Sequence, residues 1–422
     1  MIRIAVATLG CKTNQAESAA MVGAFDDAIL VEFGEPADLY LINTCTVTNR
    51  TDFKSRNLIR RALKVKEANP AMKIVVTGCY SQRSREEVLS LGAVDYVIDN
   101  QHKLDLKELV QQSDPGFMDI MQAEAFNFHL QKGMLDRSRA FQKIQDGCDF
   151  YCSYCAVPYG RGHNRSARAE DVILQAQTFV ASGYKEIVLG GVNLGLYRDG
   201  KLGLSGLLRK LEEIEGLEII RLSSLEPQLF TDELLEQVTC SKKIAPHFHL
   251  AIQSVADSVL GRMGRVYKQK HLSDLLEKIT SNLPHAAIGG DIICAFPGET
   301  EAEFMETYKF LQESPLCYLH VFQYSKRKGT PAATMPNQIN GTIAQERSNR
   351  LISMAEDLKT AYRQKILENR VSLRGVIDKI EGELASFLSD HYIRGYISKQ
   401  AHLGELFFLE PNAIYEDGLI QI

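Results

Sequence analysis

Six of the nine cysteines in this chain fall into two groups of three. Cys148, Cys152 and Cys155 form a compact C-x3-C-x2-C run inside DGCDFYCSYC, whereas Cys11, Cys45 and Cys79 are spaced 34 residues apart, each just after an apolar run. Thiolates are ligands for zinc and for iron–sulfur clusters, and both usually take four. A triad on a four-iron cluster leaves one iron open to a ligand from outside. Two triads therefore imply two clusters, each with a vacant chemical position. Zinc competes for the compact run only if His163, eight residues after Cys155, supplies a fourth ligand. The competing reading of the dispersed set is three buried core thiols. Cys240, Cys294 and Cys317 have no partner spacing and are expected to be ordinary buried thiols.

Elements must bring these residues together. In residues 1–90, IRIAVAT, DLYLINT and KIVVTG read as buried strands, separated by the helical patterns AESAAMVGAFDD and TDFKSRNLIRRALKVKEA. That alternation predicts a doubly wound parallel sheet, whose ligands bind at the carboxyl ends of the strands. Cys11, Cys45 and Cys79 each follow such an end, so three loops on one edge would gather the three thiols. LGAVDYVID is expected to add a strand, followed by a short helix and a turn at Asp114-Pro115-Gly116. The run GFMDIMQAEAFNFHLQKG is expected to pack between domains. Residues 141–335 predict six strands (AFQKIQ, EIVLGG, LEIIRLSS, HFHLAIQ, AAIGGDIICA, YLHVFQYS) alternating with helices, a TIM-like barrel, complete or partial. The compact triad falls in the loop after the first of these strands, on the face where barrel chemistry sits. A long helix over 344–370 leads into a β-rich end that suits a small OB-like β-barrel. The fold class is thus α/β, with domains over 1–130, 131–370 and 371–422.

Polar residues at barrel strand ends read as functional. Ser223, Ser224 and Glu226 end the third strand, and Gln253 and Ser254 the fourth. Gly190 and Gly191 end the second, for close approach to a cofactor or for a tight turn. Arg265 is a candidate for a carboxylate or substrate contact. Arg161, Arg165 and Ser166 would bind a carboxylate or phosphate, or cap a helix. Asp291 lies inside the fifth strand, where a charge needs a partner.

With 422 residues, 45% apolar content and 24% charged content, the chain has the makeup of a soluble protein of two or three domains. No stretch approaches the roughly 20 apolar residues of a membrane span. The start reads as a strand rather than a signal peptide, so a cytoplasmic, reducing location is expected. The net charge of −5 does not mark a nucleic-acid binder, but residues 50–66 carry seven Lys/Arg against Asp52 alone. Arg56, Arg60 and Lys64 share one helix face, a place for RNA phosphates or simply a solvated face.

The compact spacing, with Tyr154 just before its last cysteine, resembles the radical S-adenosylmethionine superfamily. With TLGCKTNQAES, NTCTVTNRTDFKSR, TGCYSQR, IQDGCDFYCSYCAVPYGRGHNRS, RLSSLEP, FPGET and LHVFQYSKRKGTPAA, the chain resembles the methylthiotransferase family nearly end to end. The resemblance implies two [4Fe–4S] clusters and S-adenosyl-L-methionine as cofactors, and a carboxyl-terminal TRAM barrel. One cluster, on Cys148, Cys152 and Cys155, would cleave S-adenosylmethionine to the hydrogen-abstracting 5′-deoxyadenosyl radical. The other, on Cys11, Cys45 and Cys79, would hold the sulfur to be inserted. Tyr154, Gly190, Gly191, Ser223, Glu226, Gln253 and Arg265 would line the cofactor site. The strings look most like the branch acting at C2 of N6-threonylcarbamoyladenosine, position 37 of tRNA. Isopentenyladenosine in tRNA or a ribosomal-protein aspartate are the alternative substrates. An iron–sulfur RNA-binding or sensor protein is the non-enzymatic alternative, and an enzyme using its second cluster only to relay electrons is another. A flavodoxin- or ferredoxin-like electron donor is implied. Val255 and Ala295 stand where the family usually has glycine, and Gly264 where it usually has Asn, which is expected to reshape the cofactor face. The residues 371–422 carry four Lys/Arg against eight Asp/Glu, an unusual balance for a module that grips phosphates.

Overall fold

Short runs of Ile, Val and Leu become the strands of an amino-terminal sheet: β1 (Ile2–Thr8), β2 (Ala28–Val31), β3 (Leu39–Thr44), β4 (Lys73–Gly78) and β5 (Tyr96–Val97). Their order is β2-β1-β3-β4-β5 and every pairing is parallel. The computed structural model describes residues 1–111, 116–135, 138–398 and 400–421, so Asp114-Pro115 of the expected turn lies outside the described residues. The strand order reverses between β1 and β3, and a doubly wound sheet opens a ligand crevice at such a switch point. Cys11 and Cys45 follow these two strands, and Cys79 follows β4 directly. Edge strand β2 escaped the sequence reading, because Ile29 and Leu30 are exposed and no core pattern marks it. LGAVDYVID shrinks to the two residues of β5.

Helix α1 (Lys12–Gly23) begins four residues earlier than AESAAMVGAFDD suggested, with Cys11 itself as the N-cap and no side-chain capping bond. Helix α2 (Asn49–Ala68) starts on a reciprocal Thr48–Thr51 capping box.

The central region holds β6 (Ala140–Lys143), β7 (Glu186–Gly190), β8 (Ile219–Leu222), β9 (His247–Gln253), β10 (Ala287–Cys294) and β11 (Tyr318–Gln323). Parallel pairings join β6-β7-β8 and β9-β10-β11, and the single bridges Ile220–Ile244 and Leu225–Leu250 connect the two halves. The result is a six-stranded open barrel in chain order; no β6–β11 pairing occurs among the described residues. Helix α1 packs on β6 at the open side, where Ala16 meets Phe141 and Val188. The segment after residue 116 wedges between the two bodies: Gln131 Nε2 donates to the Ala16 carbonyl, and its backbone N–H donates to Gln175 Oε1 at 2.6 Å.

Helix α3 (Gly341–Glu368) then leads to β12 (Leu373–Glu381), β13 (Leu384–Leu388), β14 (Arg394–Ser398), β15 (Leu406–Leu409), β16 (Ala413–Tyr415) and β17 (Gly418–Gln421). β15 pairs with β12 while β16, just beyond a three-residue break, pairs with β17. One broken strand thereby joins the two ends of the sheet and closes a small barrel, as an OB-like fold requires. Its Ser389–Tyr392 loop reaches the interior of the open barrel. Arg221 donates to the Ser389 and Asp390 carbonyls, and His247 stacks on Tyr392 at 4.2 Å.

Candidate functional site

The crevice at the carboxyl edge of the amino-terminal sheet gathers the dispersed triad. A side chain at Gly10 would strike Cys45 Cβ and Sγ at 2.8 Å, so the loops carrying Cys11 and Cys45 touch. Gly78 has φ of +100°, and a Cβ there would fall 2.3 Å from the Thr44 carbonyl oxygen. Only glycine lets the β4 turn lie against the β3 turn and bring Cys79 beside Cys45. Burial, with the neighbouring Cys79 and Cys11 sulfurs adding to it, pushes the Cys45 thiol up to about 12. In the compact group, burial and then Cys152 push Cys155 up to about 12, and burial raises Cys148 as well. Enclosed thiols held protonated in this way need a metal's charge to become ligands.

The residues fit clusters better than single ions. Zinc–sulfur bonds of about 2.3 Å would pull three sulfurs to within about 4 Å of one another. His249, Asp291 and His320 are the group among the described residues whose ligand atoms all lie within 4.8 Å of one another; neither cysteine triad is drawn in so tightly. His163, the possible fourth zinc ligand, is exposed and pairs with Asp149 at 2.9 Å. At the barrel mouth, the buried Ser223 Oγ, Ser254 Oγ and Asn193 Oδ1 have no protein partner, as groups awaiting a polar cofactor would.

The two triads meet across the seam between sheet and barrel. A Cβ on Gly160, just after the compact triad, would sit 3.3 Å from Cys79 Cβ. Arg161 next to it is buried, and its Nε donates to Cys79 Sγ at 3.1 Å. The same guanidinium bonds Asn14 Oδ1 and, at 2.9 Å, Glu17 Oε2 on α1. Glu17 also takes Lys103 and Lys143, while Asp146 takes Lys143 at 3.0 Å, Arg161 at 3.3 Å and Arg165 at 3.8 Å. Burial works against both carboxylates, yet the cations outweigh it. Glu17 lies well below the usual carboxylate range, and Asp146, facing Lys143 and Arg161, is held at about 2. Four cations face two carboxylates, and burial together with Arg161 lowers Lys103 to about 8. Arg83 donates to Thr46 Oγ1 at 3.3 Å and to the Lys328 carbonyl at 2.7 Å, and so ties the sheet edge to the barrel.

The compact triad has a plainer neighbour. Arg265 Nη1 lies 3.6 Å from Cys152 Sγ and 2.8 Å from Glu226 Oε1, and its other arm also bonds Glu226. Tyr154 packs edge-on to Phe296 at 6.4 Å. Gln253 ends β9 with φ of +66°, a strained conformation for a side-chain-bearing residue and a frequent mark of a functional site. A Cβ on Gly191 would fall 2.7 Å from Gln145 Oε1, so this glycine makes room for a protein side chain; Gly190 ends β7 without such crowding.

Each of the three unusual residues has a definite place in the backbone of this face. Gly264 is a left-handed helix cap, a position that Gly and Asn both fill. Ala295 adopts φ of +59°, which explains why glycine is usual there and costs about 1 kcal/mol. Val255 is a buried core residue.

Of the basic face on α2, Arg60 and Lys64 are exposed, whereas Arg56 bonds Glu87 at 3.0 Å and Tyr80 OH at 3.3 Å. Arg161 and Arg165 bind protein groups of the seam in place of a ligand or a helix cap. Asp291 has its partners, His249 at 3.0 Å and His320 at 3.4 Å; they outweigh burial and hold it at about 2. Cys294 and Cys317 are buried as expected, but Cys240 is exposed at the outward end of its helix. Asn14, Glu17, Arg83 and Asn193 were missed. The one available signal was an acid, Glu17, among the small residues of a core-facing helix.

Residues 3–99 match the family described as "Uncharacterized protein family UPF0004", and residues 143–311 match the radical SAM superfamily. The threonylcarbamoyladenosine tRNA methylthiotransferase of Bacillus subtilis is 42% identical over 373 residues, spanning 86% of this chain and 82% of that one. The tRNA-2-methylthio-N(6)-dimethylallyladenosine synthase of Nocardia farcinica is 34% identical over 385 residues, spanning 87% and 76%. Among solved structures, the radical S-adenosylmethionine methyltransferase TsrM of Kitasatospora setae superposes with a TM-score of 0.60 over 78% of this chain and 76% of that one, at 13% identity, a likeness of fold alone.

Proposed function

The chain belongs to the radical S-adenosylmethionine methylthiotransferase family, and we propose that it inserts a methylthio group at C2 of N6-threonylcarbamoyladenosine at position 37 of tRNA. The observation that carries this reading is the seam: two separately built thiol triads lie on either side of it, and Gly160 and Arg161, just after the compact triad, touch Cys79 of the dispersed one. A sulfur held on one side and a radical source on the other can then address one carbon.

The cofactors are two [4Fe–4S] clusters and S-adenosylmethionine. Bound at Cys148, Cys152 and Cys155, a cluster with S-adenosylmethionine supplies hydrogen abstraction, and bound at Cys11, Cys45 and Cys79 the second supplies the sulfur. The protein's own part is positioning. Arg265, fixed by Glu226, places positive charge beside Cys152. Ser223, Ser254 and Asn193 offer unpaired polar atoms to the cofactor at the barrel mouth, and Tyr154, Gly190, Gly191 and Gln253 shape its wall. The Arg161–Glu17–Asp146 network closes the seam against water. Exposed Arg60 and Lys64 meet RNA phosphates, and the exposed rings of Tyr151 and Tyr159 offer faces for unstacked bases. The work divides among residues 1–130, 131–370 and 371–422. A flavodoxin- or ferredoxin-like donor in the cytoplasm supplies electrons; no helix among the described residues is long and apolar enough to cross a membrane.

The test is nucleoside mass spectrometry of tRNA from cells with and without the gene. The 2-methylthio derivative of threonylcarbamoyladenosine should vanish with the gene. Its persistence, or the loss of a different methylthio nucleoside, would overturn the reading.

A further inference from the structure

We propose that Arg161 is the positioning residue of the sulfur-carrying centre: it clamps the three cysteine loops of the dispersed triad and raises the reduction potential of the cluster they hold. The assignment rests on the two-cluster reading proposed above and names the residue that tunes one cluster against the other.

Arg161 ends the short helix Pro158–Arg161, which follows the compact triad closely. Its side chain is buried, yet it leaves its own loop and reaches the other triad. All five of its N–H groups find acceptors. Nε donates to Cys79 Sγ at 3.1 Å, Nη2 to Asn14 Oδ1 and to Glu17 Oε2 at 2.9 Å, and Nη1 to Glu17 Oε1 and to Asp146 Oδ2 at 3.3 Å. The Asn14 amide in turn donates to the Leu9 carbonyl at 2.7 Å, just ahead of Cys11, and to the Thr44 carbonyl at 3.0 Å, next to Cys45. One guanidinium and one amide thus tie together the loops of Cys11, Cys45 and Cys79, which follow three separate strands.

The next residue faces the other way. The Gly162 carbonyl accepts from the Cys148 backbone N–H at 3.0 Å. Adjacent residues therefore hold the ligand loops of different triads, and the spacing of the two centres is fixed through them.

The charge around this link is not balanced. Among the described residues, Arg161, Lys103, Lys143 and Arg165 are ion-paired with only Glu17 and Asp146, two carboxylates for four cations. A four-iron core on three thiolates is anionic, and it gains a further negative charge on reduction. An N–H bond to a ligand sulfur and uncompensated positive charge both favour the reduced state, so both raise the potential. The compact triad is built differently. Arg265 Nη1 is 3.6 Å from Cys152 Sγ, and its charge is matched by a two-armed bond to Glu226. Lysine could not replace Arg161, because an ammonium has three donors and no fixed fork.

The experiment uses the anaerobically reconstituted full-length chain, titrated with reductant and followed by electron paramagnetic resonance. In a variant with Cys148, Cys152 and Cys155 all replaced by alanine, only the dispersed site contributes a signal. In that background Arg161→Met should lower the reduced-to-oxidised ratio at a fixed potential by about 10-fold, a shift of about 59 mV for one electron. Arg161→Lys should recover part of that shift, since it restores the charge without the Nε–H bond. Isotopically labelled arginine should add a nitrogen coupling to the resonance, and Arg161→Lys should remove that coupling. A potential unchanged in Arg161→Met at the background's iron content would overturn the assignment. If Arg161→Met loses its iron, the labelled background protein decides: a coupling that Arg161→Lys removes supports the clamp, and no arginine coupling at the dispersed site overturns it. The two-cluster reading fails separately, if native iron is near four per chain and Cys45→Ala leaves it there.

Discussion

The two thiol triads solve the same coordination problem with opposite constructions. Cys148, Cys152 and Cys155 sit in one loop, and one guanidinium, Arg265 matched by one carboxylate, Glu226, stands beside them. Cys11, Cys45 and Cys79 come from three loops of a sheet edge, and their nearest cation, Arg161, belongs to a buried network with two surplus positive charges. The acids beside the triads respond in opposite directions. Burial raises Glu226 above the usual carboxylate range despite Arg265, whereas the crowded cations hold Glu17 and Asp146 below it. A cluster's potential follows the net charge and hydrogen bonds around its sulfurs. The dispersed site is thus electrostatically suited to hold added negative charge, and the compact site to remain a strong reductant.

Cysteine substitution should break this comparison most completely. Cys152→Ala should reduce S-adenosylmethionine cleavage to background, measured as 5′-deoxyadenosine release. Cys79→Ala should leave cleavage within about twofold yet stop methylthio insertion, with iron falling from about eight to about four per chain. Methylthiolated product from the Cys79 variant would refute the division of labour.

Removing the counter-charges should give the next largest effect. Glu17→Gln strips a carboxylate from a buried network that already has cations in excess and should cost about 3–5 kcal/mol, read as a drop in Tm. Glu226→Gln, at the less crowded triad, should cost less. Equal losses would mean that the seam network adds nothing special.

Acid should then separate the two sites. Asp146 titrates at about 2 when folded and near 3.8 when free, so its contribution is full above pH 4 and is lost as pH falls through about 2. Glu17 acts in the same direction. Glu226 has the opposite sign: its raised value favours the folded state at low pH, a contribution lost as pH rises through its folded-state pKa. Acid unfolding followed by circular dichroism should lose its component below pH 4 in Asp146→Asn and keep it in Glu226→Gln.

The smallest effects belong to the surface. Arg60→Ala and Lys64→Ala should each weaken tRNA binding by about two- to fivefold and make the salt dependence shallower by about one unit of slope. Arg56→Ala should change the salt slope less, since its charge is already paired with Glu87.

Much of this was legible before any coordinates. The six barrel strands and the three cysteine-bearing strands are short apolar runs between turn residues, and a buried parallel strand has no other way to be written. Edge strand β2 was not legible because its residues face water. The start of α1 was hidden because its cap is a cysteine, in place of the Ser, Thr, Asp or Asn that usually announces a helix. Cys240 looked like a core thiol because position along a helix, and not residue type, decided its exposure.

By itself the sequence determined which ligands each triad offers, since thiol count and spacing are properties of the chain, and that three of them follow strand ends on one edge. Only the tertiary structure decided what surrounds them. Arg161 and Glu17 are 144 residues apart, and Arg221 and the Ser389 carbonyl it binds are 168 apart. Charges at such separations leave no periodic trace in the chain. Whether each is paired or shared is settled only when the sheet edge closes against the open barrel.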